Sequence, residues 1–302
     1  MTSAAPVPTA DPPPISASAG PGSTAYRAYR DWVSRPLTER PRISVVIPAY
    51  NEEYRILPTV GAIATHLSAR GVPWELIVAD DGSTDTTVSL LQDLRFPNMR
   101  VLVAEANGGK GSAVRRGVLA ARGDVILFAD ADQSTPIEQF GELMDRIDDG
   151  YDVVVGSRAA TGAAVSGKSP LRRLLSNGLR LIVSVGFGIR VRDTQCGFKL
   201  FTAAAARDLF TAQKVDGFSF DLEVLYLAGK RGFATTEVPV EWIDAPGSTV
   251  DAVKVTAQFL KDLVTIRLYD LRGRYAVERP DPAAHRTLSV VPPADAQNRI
   301  AR

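Results

Sequence analysis

From residue 43 to residue 157, short β-branched runs alternate with amphipathic helical patterns, and every run ends in a polar loop. This alternation constrains the chain more than any other feature, because it is how crossover units build a largely parallel sheet covered by helices. Ile43 to Pro48 reads as a buried strand. Ile56, Val60, Ile63 and Leu67 recur at helical spacing, and Glu75 to Ala79 is the next strand, running into Asp80-Asp81-Gly82-Ser83. A helix from about Thr84 to Leu94 leads to a strand over Met99 to Ala104, after which Asn107-Gly-Gly-Lys-Gly opens a helix through Ala121. Val125 to Ala129 delivers Asp130-Ala131-Asp132, and a helix over 137–148 with a strand over Asp152 to Ser157 completes five β-units. The expected class is α/β, with a mostly parallel central sheet flanked by helices. In open sheets of this kind ligands bind outside the carboxyl ends of the strands, so these loops should line one cleft.

A chain of 302 residues with 45% hydrophobic content can bury a sizeable core. The 35 Lys and Arg against 34 Asp and Glu give a formal +1, so no global field recruits nucleic acid, and any anion binding must be local. The only cysteine, Cys196, excludes an intramolecular disulfide framework and a cysteine-rich zinc site, and fits a reducing compartment. The longest strongly apolar stretch, Leu181 to Ile189, is 9 residues, against the roughly 18 to 20 that span a bilayer. With no basic residue before Arg27, a secretory signal is not expected either. Six prolines among the first 21 residues, interleaved with Ala, Ser and Thr, predict a disordered leader over residues 1–40. A similar stretch over 278–302 predicts a flexible tail, leaving one domain over 41–277.

Asp130 and Asp132, one residue apart at a strand end, could ligate a hard divalent cation that bridges carboxylates and a substrate diphosphate; alone, they would read more readily as a solvated acidic turn. Asp80-Asp81 ends a strand whose loop should lie nearby, with Ser83 as a further hydrogen-bonding group, a helix N-cap, or both. Asn107 to Gly111 is no phosphate loop of the Walker type, since Ala104 and Gly111 stand where Gly and Ser or Thr are needed; Val114 likewise breaks the dinucleotide fingerprint. What remains is either a helix N-terminus with a lysine that can take an anionic group or a flexible left-handed turn.

Charge is distributed unevenly. Arg158 to Lys199 holds 8 basic residues and 1 acid, a window of +7 that leaves −6 for the remainder. Within it, a helical pattern from about Leu171 to Val185 puts Leu171, Leu175 and Ile182 on one face and Arg173 and Arg180 on another, a candidate for docking on anionic headgroups or gripping a phosphate, or an ordinary solvated face. A later helical row of Val253, Ala257, Leu260, Val264, Leu268 and Leu271 is best explained by core packing, with Lys254, Lys261 and Arg272 elsewhere on the helix. The three tryptophans, Trp32, Trp74 and Trp242, are more in keeping with packing than with stacking on a ligand. His66 and His285 lie away from every strand-end loop in sequence, so nucleophilic hydrolysis lacks its usual base.

Taken together, Val46-Ile-Pro-Ala-Tyr-Asn-Glu-Glu53, Asp80-Asp-Gly-Ser-Thr-Asp85, Asn107-Gly-Gly-Lys-Gly111, Asp130-Ala-Asp132, Val155-Gly-Ser-Arg158, Asp193-Thr-Gln-Cys-Gly-Phe-Lys199 and Glu237-Val-Pro-Val-Glu-Trp242 resemble the family 2 inverting glycosyltransferases of the nucleotide-sugar-binding GT-A fold. The resemblance runs from about Ile43 to Tyr275 and is to the dolichyl- or polyprenyl-phosphate sugar synthase branch; Asp193 to Lys199 looks most like its dolichyl-phosphate glucosyltransferase side. It implies that Pro48, Tyr50, Glu52, Lys110 and Ala131 line the donor pocket, that Asp81 hydrogen-bonds the base, and that Asp130 faces ribose or metal. It implies Asp132 as the ligand of a divalent cation, Mg²⁺ or Mn²⁺, Arg158 as the holder of the acceptor phosphate with Arg172 or Arg173, and Asp193 as its organiser. Ser248 is a further substrate contact by the same resemblance, although Gly247-Ser248-Thr249 departs from the Gly-Ser-Lys of relatives, and Ser134 stands where some relatives have glutamine.

The expected reaction is metal-dependent transfer of glucose from UDP-glucose to a polyprenyl or dolichyl phosphate by one in-line displacement, with UDP-N-acetylhexosamine and GDP-mannose as open alternatives. The expected setting is the cytoplasmic face of a membrane, peripherally bound, with room for an integral membrane partner. A nucleotidyltransferase is disfavoured by the acidic loop Ala49-Tyr50-Asn51-Glu52-Glu53; a nucleotide-sugar-binding module without turnover is the remaining rival.

Overall fold

The computed structural model describes residues 24–161, 186–243 and 252–276. Seven strands, β1 (Ile43–Ala49), β2 (Trp74–Asp80), β3 (Met99–Val103), β4 (Val125–Ala129), β5 (Val153–Ser157), β6 (Phe198–Thr202) and β7 (Thr235–Pro239), form one sheet in the order β3-β2-β1-β4-β6-β5-β7. β1 to β4 are mutually parallel; β6 runs antiparallel between β4 and β5, and β7 is parallel to β5. This is the mostly parallel α/β class expected. β1, β2, β4 and β5 are buried along their whole length, which is why they read as continuous apolar runs instead of alternating ones.

Eight helices accompany the sheet among the described residues: α1 (Thr24–Ser34), α2 (Ile56–Ser68), α3 (Thr87–Asp93), α4 (Lys110–Ala120), α5 (Phe140–Asp148), α6 (Ala203–Ala212), α7 (Phe220–Arg231) and α8 (Ala252–Leu271). Ile56, Val60, Ile63 and Leu67 are all buried, as their spacing requires. α6 starts where the Thr202 side chain accepts from the Ala205 amide, and α7 ends on Gly232 in the left-handed region at φ +78°. The chain forms two compact units, residues 1–266 and 267–302. In the second, Arg274 sits 4.7 Å over the Tyr269 ring, and Tyr269 meets Tyr275 edge-on.

Two sequence expectations change. The expected leader over 1–40 includes α1, whose Tyr29 and Trp32 are buried. Trp32 stacks on Trp74 at 4.0 Å and donates from Nε1 to the Trp74 carbonyl, while Asn98 donates to the carbonyls of Trp32 and Arg35. Its 11 residues are too polar on average to signal a core element, but two aromatics one turn apart are enough to anchor it. The second change is on α8, where Phe259, Leu263 and Ile266 are the buried apolar residues, whereas Leu260, Val264, Leu268 and Leu271 are 44, 60, 41 and 81% exposed. Two apolar rows share that helix, and periodicity alone does not say which turns inward. Residues 1–23, the basic pattern over 171–185 and the expected tail over 278–302 lie outside the described residues.

If Trp32 anchors α1, Trp32→Ala should cost about 3 kcal/mol in denaturant-induced unfolding, and a loss under about 1 kcal/mol would show that α1 does not depend on the stack.

Candidate active site

Because β1, β2, β4, β5 and β7 run the same way, their carboxyl ends share one edge of the sheet. The reversed β6 begins at that edge, so Asp193 to Gly197, which precede it, arrive there as well. Pro48 is buried near the end of β1, and Tyr50, just beyond it, is 45% exposed. The loop after β1 is stitched to the loop after β2. The Asn51 amide donates to Ser83 Oγ at 2.9 Å, the Thr84 amide to Asn51 Oδ1 at 2.9 Å, the Glu52 amide to Thr87 Oγ1 at 2.8 Å, and the Glu53 amide to Asp85 Oδ2 at 3.2 Å. Ser83 therefore braces the neighbouring loop, and the N-cap of α3 is Thr86.

The start of α4 is already occupied by an anion belonging to the protein. Buried Asp81 accepts from the Gly108 amide at 3.2 Å and the Gly109 amide at 2.7 Å, with Arg116 at 3.6 Å. Gly109 has φ +98°, and a Cβ on it would press on the Asp216 carbonyl, so the glycine loop is a fixed turn packed under the Asp216–Phe218 segment. The expected anion pocket at this helix end is thus filled by Asp81. Lys110, the first residue of α4, points the other way, with Nζ 2.7 Å from Asp130 Oδ1 and over the rings of Phe128 and Phe218. Burial pulls its ammonium down, but Asp130, Asp221 and Asp132 more than offset this and hold it above the ordinary lysine value.

The acidic hairpin is held from below. Thr59 on α2 donates to the Ala131 carbonyl at 2.6 Å, the Asp130 amide donates to the Gly197 carbonyl at 2.9 Å, and Asp132 Oδ1 accepts from the Ser134 amide at 2.9 Å. Any Cβ at position 197 would overlap the Asp130 carboxylate, which accounts for the glycine there. Glu52 shares this acidic region. Burial raises its pKa first; Arg55, at 2.7 Å, opposes this, and the charges of Asp132 and Asp130 push it further up. That net negative field suits a divalent cation. Among the described residues no three acidic, His or Cys side chains could hold a metal by themselves, so a hard cation here would draw its other oxygens from a substrate diphosphate.

Facing the hairpin, Arg158 at the end of β5 makes a two-pronged bond to Asp193, Nε to Oδ2 at 2.7 Å and Nη2 to Oδ1 at 2.9 Å, with its amide also on Oδ2. Trp242 lies against the guanidinium at 5.5 Å. Burial would raise the Asp193 carboxyl, but the Arg158 hydrogen bonds and charge bring it below the usual aspartate range. The segment that holds Arg158 through Asp193 also takes the Asp130 amide on its Gly197 carbonyl, so the acidic and basic clusters stand at one sheet edge. Behind them Lys199, 1% exposed, donates to Asp221 at 2.6 Å and to the Cys196 carbonyl. Burial pushes the Cys196 thiol up to about 11, so it stays protonated.

Residues 44–210 match Glycosyl transferase family 2. The chain is a family 2 glycosyltransferase. It is 39% identical over 246 residues to the dolichyl-phosphate beta-glucosyltransferase ALG5C of Trichomonas vaginalis, covering 77% of this chain and 73% of that one. It is 37% identical over 255 residues to the dolichyl-phosphate beta-glucosyltransferase of Saccharomyces cerevisiae, covering 77% and 76%, and 34% identical over 254 residues to that of Homo sapiens, covering 79% and 78%. In fold, the glycosyltransferase is similar to glucosyl-3-phosphoglycerate synthase from Mycobacterium tuberculosis in complex with Mn²⁺ and uridine-diphosphate-glucose, with TM-score 0.56, 19% identity and coverage of 82% and 84%.

The structure brings Pro48, Tyr50, Glu52, Asp81, Lys110, Asp130, Ala131, Asp132, Arg158 and Asp193 to one sheet edge, whereas Arg172, Arg173 and Ser248 lie outside the described residues. Sequence reasoning passed over three neighbours of the glycosyltransferase site. Trp242 was assigned to packing; Phe218, 58% exposed beside Lys110, carried no pattern. Lys199 had a usable signal, a lysine inside the apolar run Phe198 to Phe201, which demands a buried partner.

A carboxyl with a lowered folded pKa contributes stability that is complete above its unfolded value and is lost as pH falls through the folded one. Asp193→Asn should therefore cost about 3 kcal/mol at neutral pH, with the deficit shrinking below about pH 4. Urea unfolding across that range checks this; a deficit independent of pH would contradict the ion pair.

Proposed function

We propose that this glycosyltransferase transfers glucose from UDP-glucose to dolichyl or another polyprenyl phosphate with inversion, giving a β-linked lipid-phosphate sugar. The observation that carries this reading is that the Asp130–Asp132 hairpin and the Asp193-held Arg158 stand at one sheet edge, tied by the Asp193 to Gly197 segment, in a chain related to dolichyl-phosphate beta-glucosyltransferases. Where each side chain stands supports the role assigned to it. Pro48, Tyr50, Glu52 and Asp81 line the nucleotide side, with the Asp81 oxygens held rigid by two amides so that they can accept from a base. Asp130 and Asp132 would hold Mg²⁺ or Mn²⁺, which when bound neutralises the charge that builds on the departing nucleoside diphosphate.

Lys110 pairs with Asp130 and adds a positive charge next to the diphosphate position. Arg158, its Nε edge fixed by Asp193, keeps its other guanidinium edge for the acceptor phosphate, joined by Arg172 or Arg173, with Ser248 as a further contact. A lipid phosphate is ionised at neutral pH and needs placement more than proton removal. Asp193 suits that chemistry, because a carboxylate pinned by a guanidinium and held below its ordinary pKa is a poor base. The acceptor also sets the location, at a membrane surface on the cytoplasmic side, peripherally bound or beside an integral partner; among the described residues no helix is long and apolar enough to cross a membrane.

Asp132→Asn should lower transfer by at least about a thousandfold while the circular dichroism spectrum and unfolding midpoint are kept; full activity of that variant would remove the hairpin from the mechanism. Arg158→Lys, which keeps charge and loses the two-pronged bond, should raise KM for polyprenyl phosphate about tenfold or more and leave KM for UDP-glucose within about twofold. The reverse pattern would assign Arg158 to the donor. Binding of UDP-glucose with no turnover under any condition would favour a binding module.

A further inference from the structure

Between α6 and α7 the chain reads Gln213-Lys-Val-Asp-Gly-Phe-Ser-Phe220, and its two phenylalanines differ in fate. Phe220 is 1% exposed and meets Phe128 edge-on, as a core aromatic should. Phe218 is 58% exposed, yet the segment that carries it is tied down on several sides. Buried Glu223 accepts from the Lys214 amide at 2.9 Å and the Val215 amide at 2.8 Å. Gln213 donates to the Val215 carbonyl at 2.8 Å, the Ser112 amide on α4 donates to the Asp216 carbonyl at 3.1 Å, and Arg115 pairs with Asp216 at 2.9 Å. Gly109 and Gly111 close the fit, since a Cβ on either would strike this backbone. A lone exposed apolar residue on an ordinary surface needs no explanation. One mounted on a fixed loop at a binding edge is a contact surface that loses little freedom when a ligand arrives.

The neighbours of Phe218 say which part of a ligand it faces. Lys110 Nζ lies 5.8 Å from the centroid of its ring and 2.7 Å from Asp130. The amide one residue earlier, on Gly109, is turned to Asp81. The start of α4 therefore divides the cleft, with Asp81 on one side and Lys110, Asp130 and Phe218 on the other. With the base at Asp81 and the diphosphate at Lys110 and Asp130, the group beside Phe218 is the one that the diphosphate carries, the glucosyl ring. The ring hydroxyls of glucose are equatorial, so its faces present C–H bonds that pack on an aromatic ring as an apolar surface.

We propose that Phe218 is a sugar-stacking residue, a platform for the donor glucose beside Lys110. This rests on the glucosyl transfer proposed above. Calorimetry on the full chain with Mg²⁺ compares UDP-glucose with UDP alone. Phe218→Ala should weaken UDP-glucose binding about fivefold or more and leave UDP within about twofold, while Phe218→Tyr, which keeps the ring, should bind both within about twofold of the native chain. Thermal unfolding of both variants should match the native chain, because the side chain is exposed. Equal weakening of UDP and UDP-glucose would set the ring against the nucleotide, and unchanged UDP-glucose binding with a raised KM for polyprenyl phosphate would set it against the acceptor; either overturns the proposal. A native chain that transfers glucose while Phe218→Ala binds UDP-glucose as tightly overturns the stacking alone. The expected binding pattern in a chain that transfers no glucose to polyprenyl phosphate contradicts the activity and leaves Phe218 in its role.

Discussion

One reversed strand organises the site. β6 runs against β4 and β5, the strands on either side of it, so the segment before it enters at the edge where all the other strands end. Without that reversal, Asp193, Cys196 and Gly197 would lie at the far end of the sheet. Arg158 would then lack its carboxylate partner, and Asp130 would lack the glycine whose missing side chain makes room for it. The central parallel strands deliver the acids, and the antiparallel one delivers what restrains them.

The charges gathered there are internally paired. Lys110 holds Asp130, and Asp193 holds Arg158, while Lys199 and Asp221 form a deeper pair behind them. Buried pairs of this kind add little net stability, because desolvation offsets most of the attraction. Their effect is to fix directions: the Asp193 carboxyl is held below its usual range, the guanidinium keeps one edge committed, and the amides of Gly108 and Gly109 are spent on Asp81 instead of on a phosphate. A site built so has its electrostatics set before substrate arrives, which suits a displacement in which charge moves from a diphosphate linkage to a leaving nucleotide while an already ionised phosphate attacks.

Much of this could be read from the sequence, and the failures have physical causes. The strand-end acids were legible because buried parallel strands form unmistakable apolar runs, and the residue at the end of each run must emerge at the same edge. Arg158 and Asp193 were legible only through resemblance: nothing in their spacing says that strands 35 residues apart meet across a reversal. α1 was hidden by a proline-rich neighbourhood, although Trp32 and Trp74 each held half of the evidence. α8 was misread in its facing, since Phe259, Leu263 and Ile266 make as good a row as the exposed one. The role of Gly109 was half visible: the left-handed turn is there, but the anion at the helix start is the protein's own Asp81.

The account joins an acidic hairpin and a restrained guanidinium into one lipid-directed glucosyl transfer. The most direct test incubates the purified chain and polyprenyl phosphate with labelled UDP-glucose, UDP-N-acetylglucosamine or GDP-mannose, with Mg²⁺ or Mn²⁺ or with chelator, and follows label into the organic phase. Label from UDP-glucose alone, lost on chelation and released by mild acid as glucose, is the predicted result. Label from another donor in preference to UDP-glucose, or equal transfer in the presence of chelator, would contradict it.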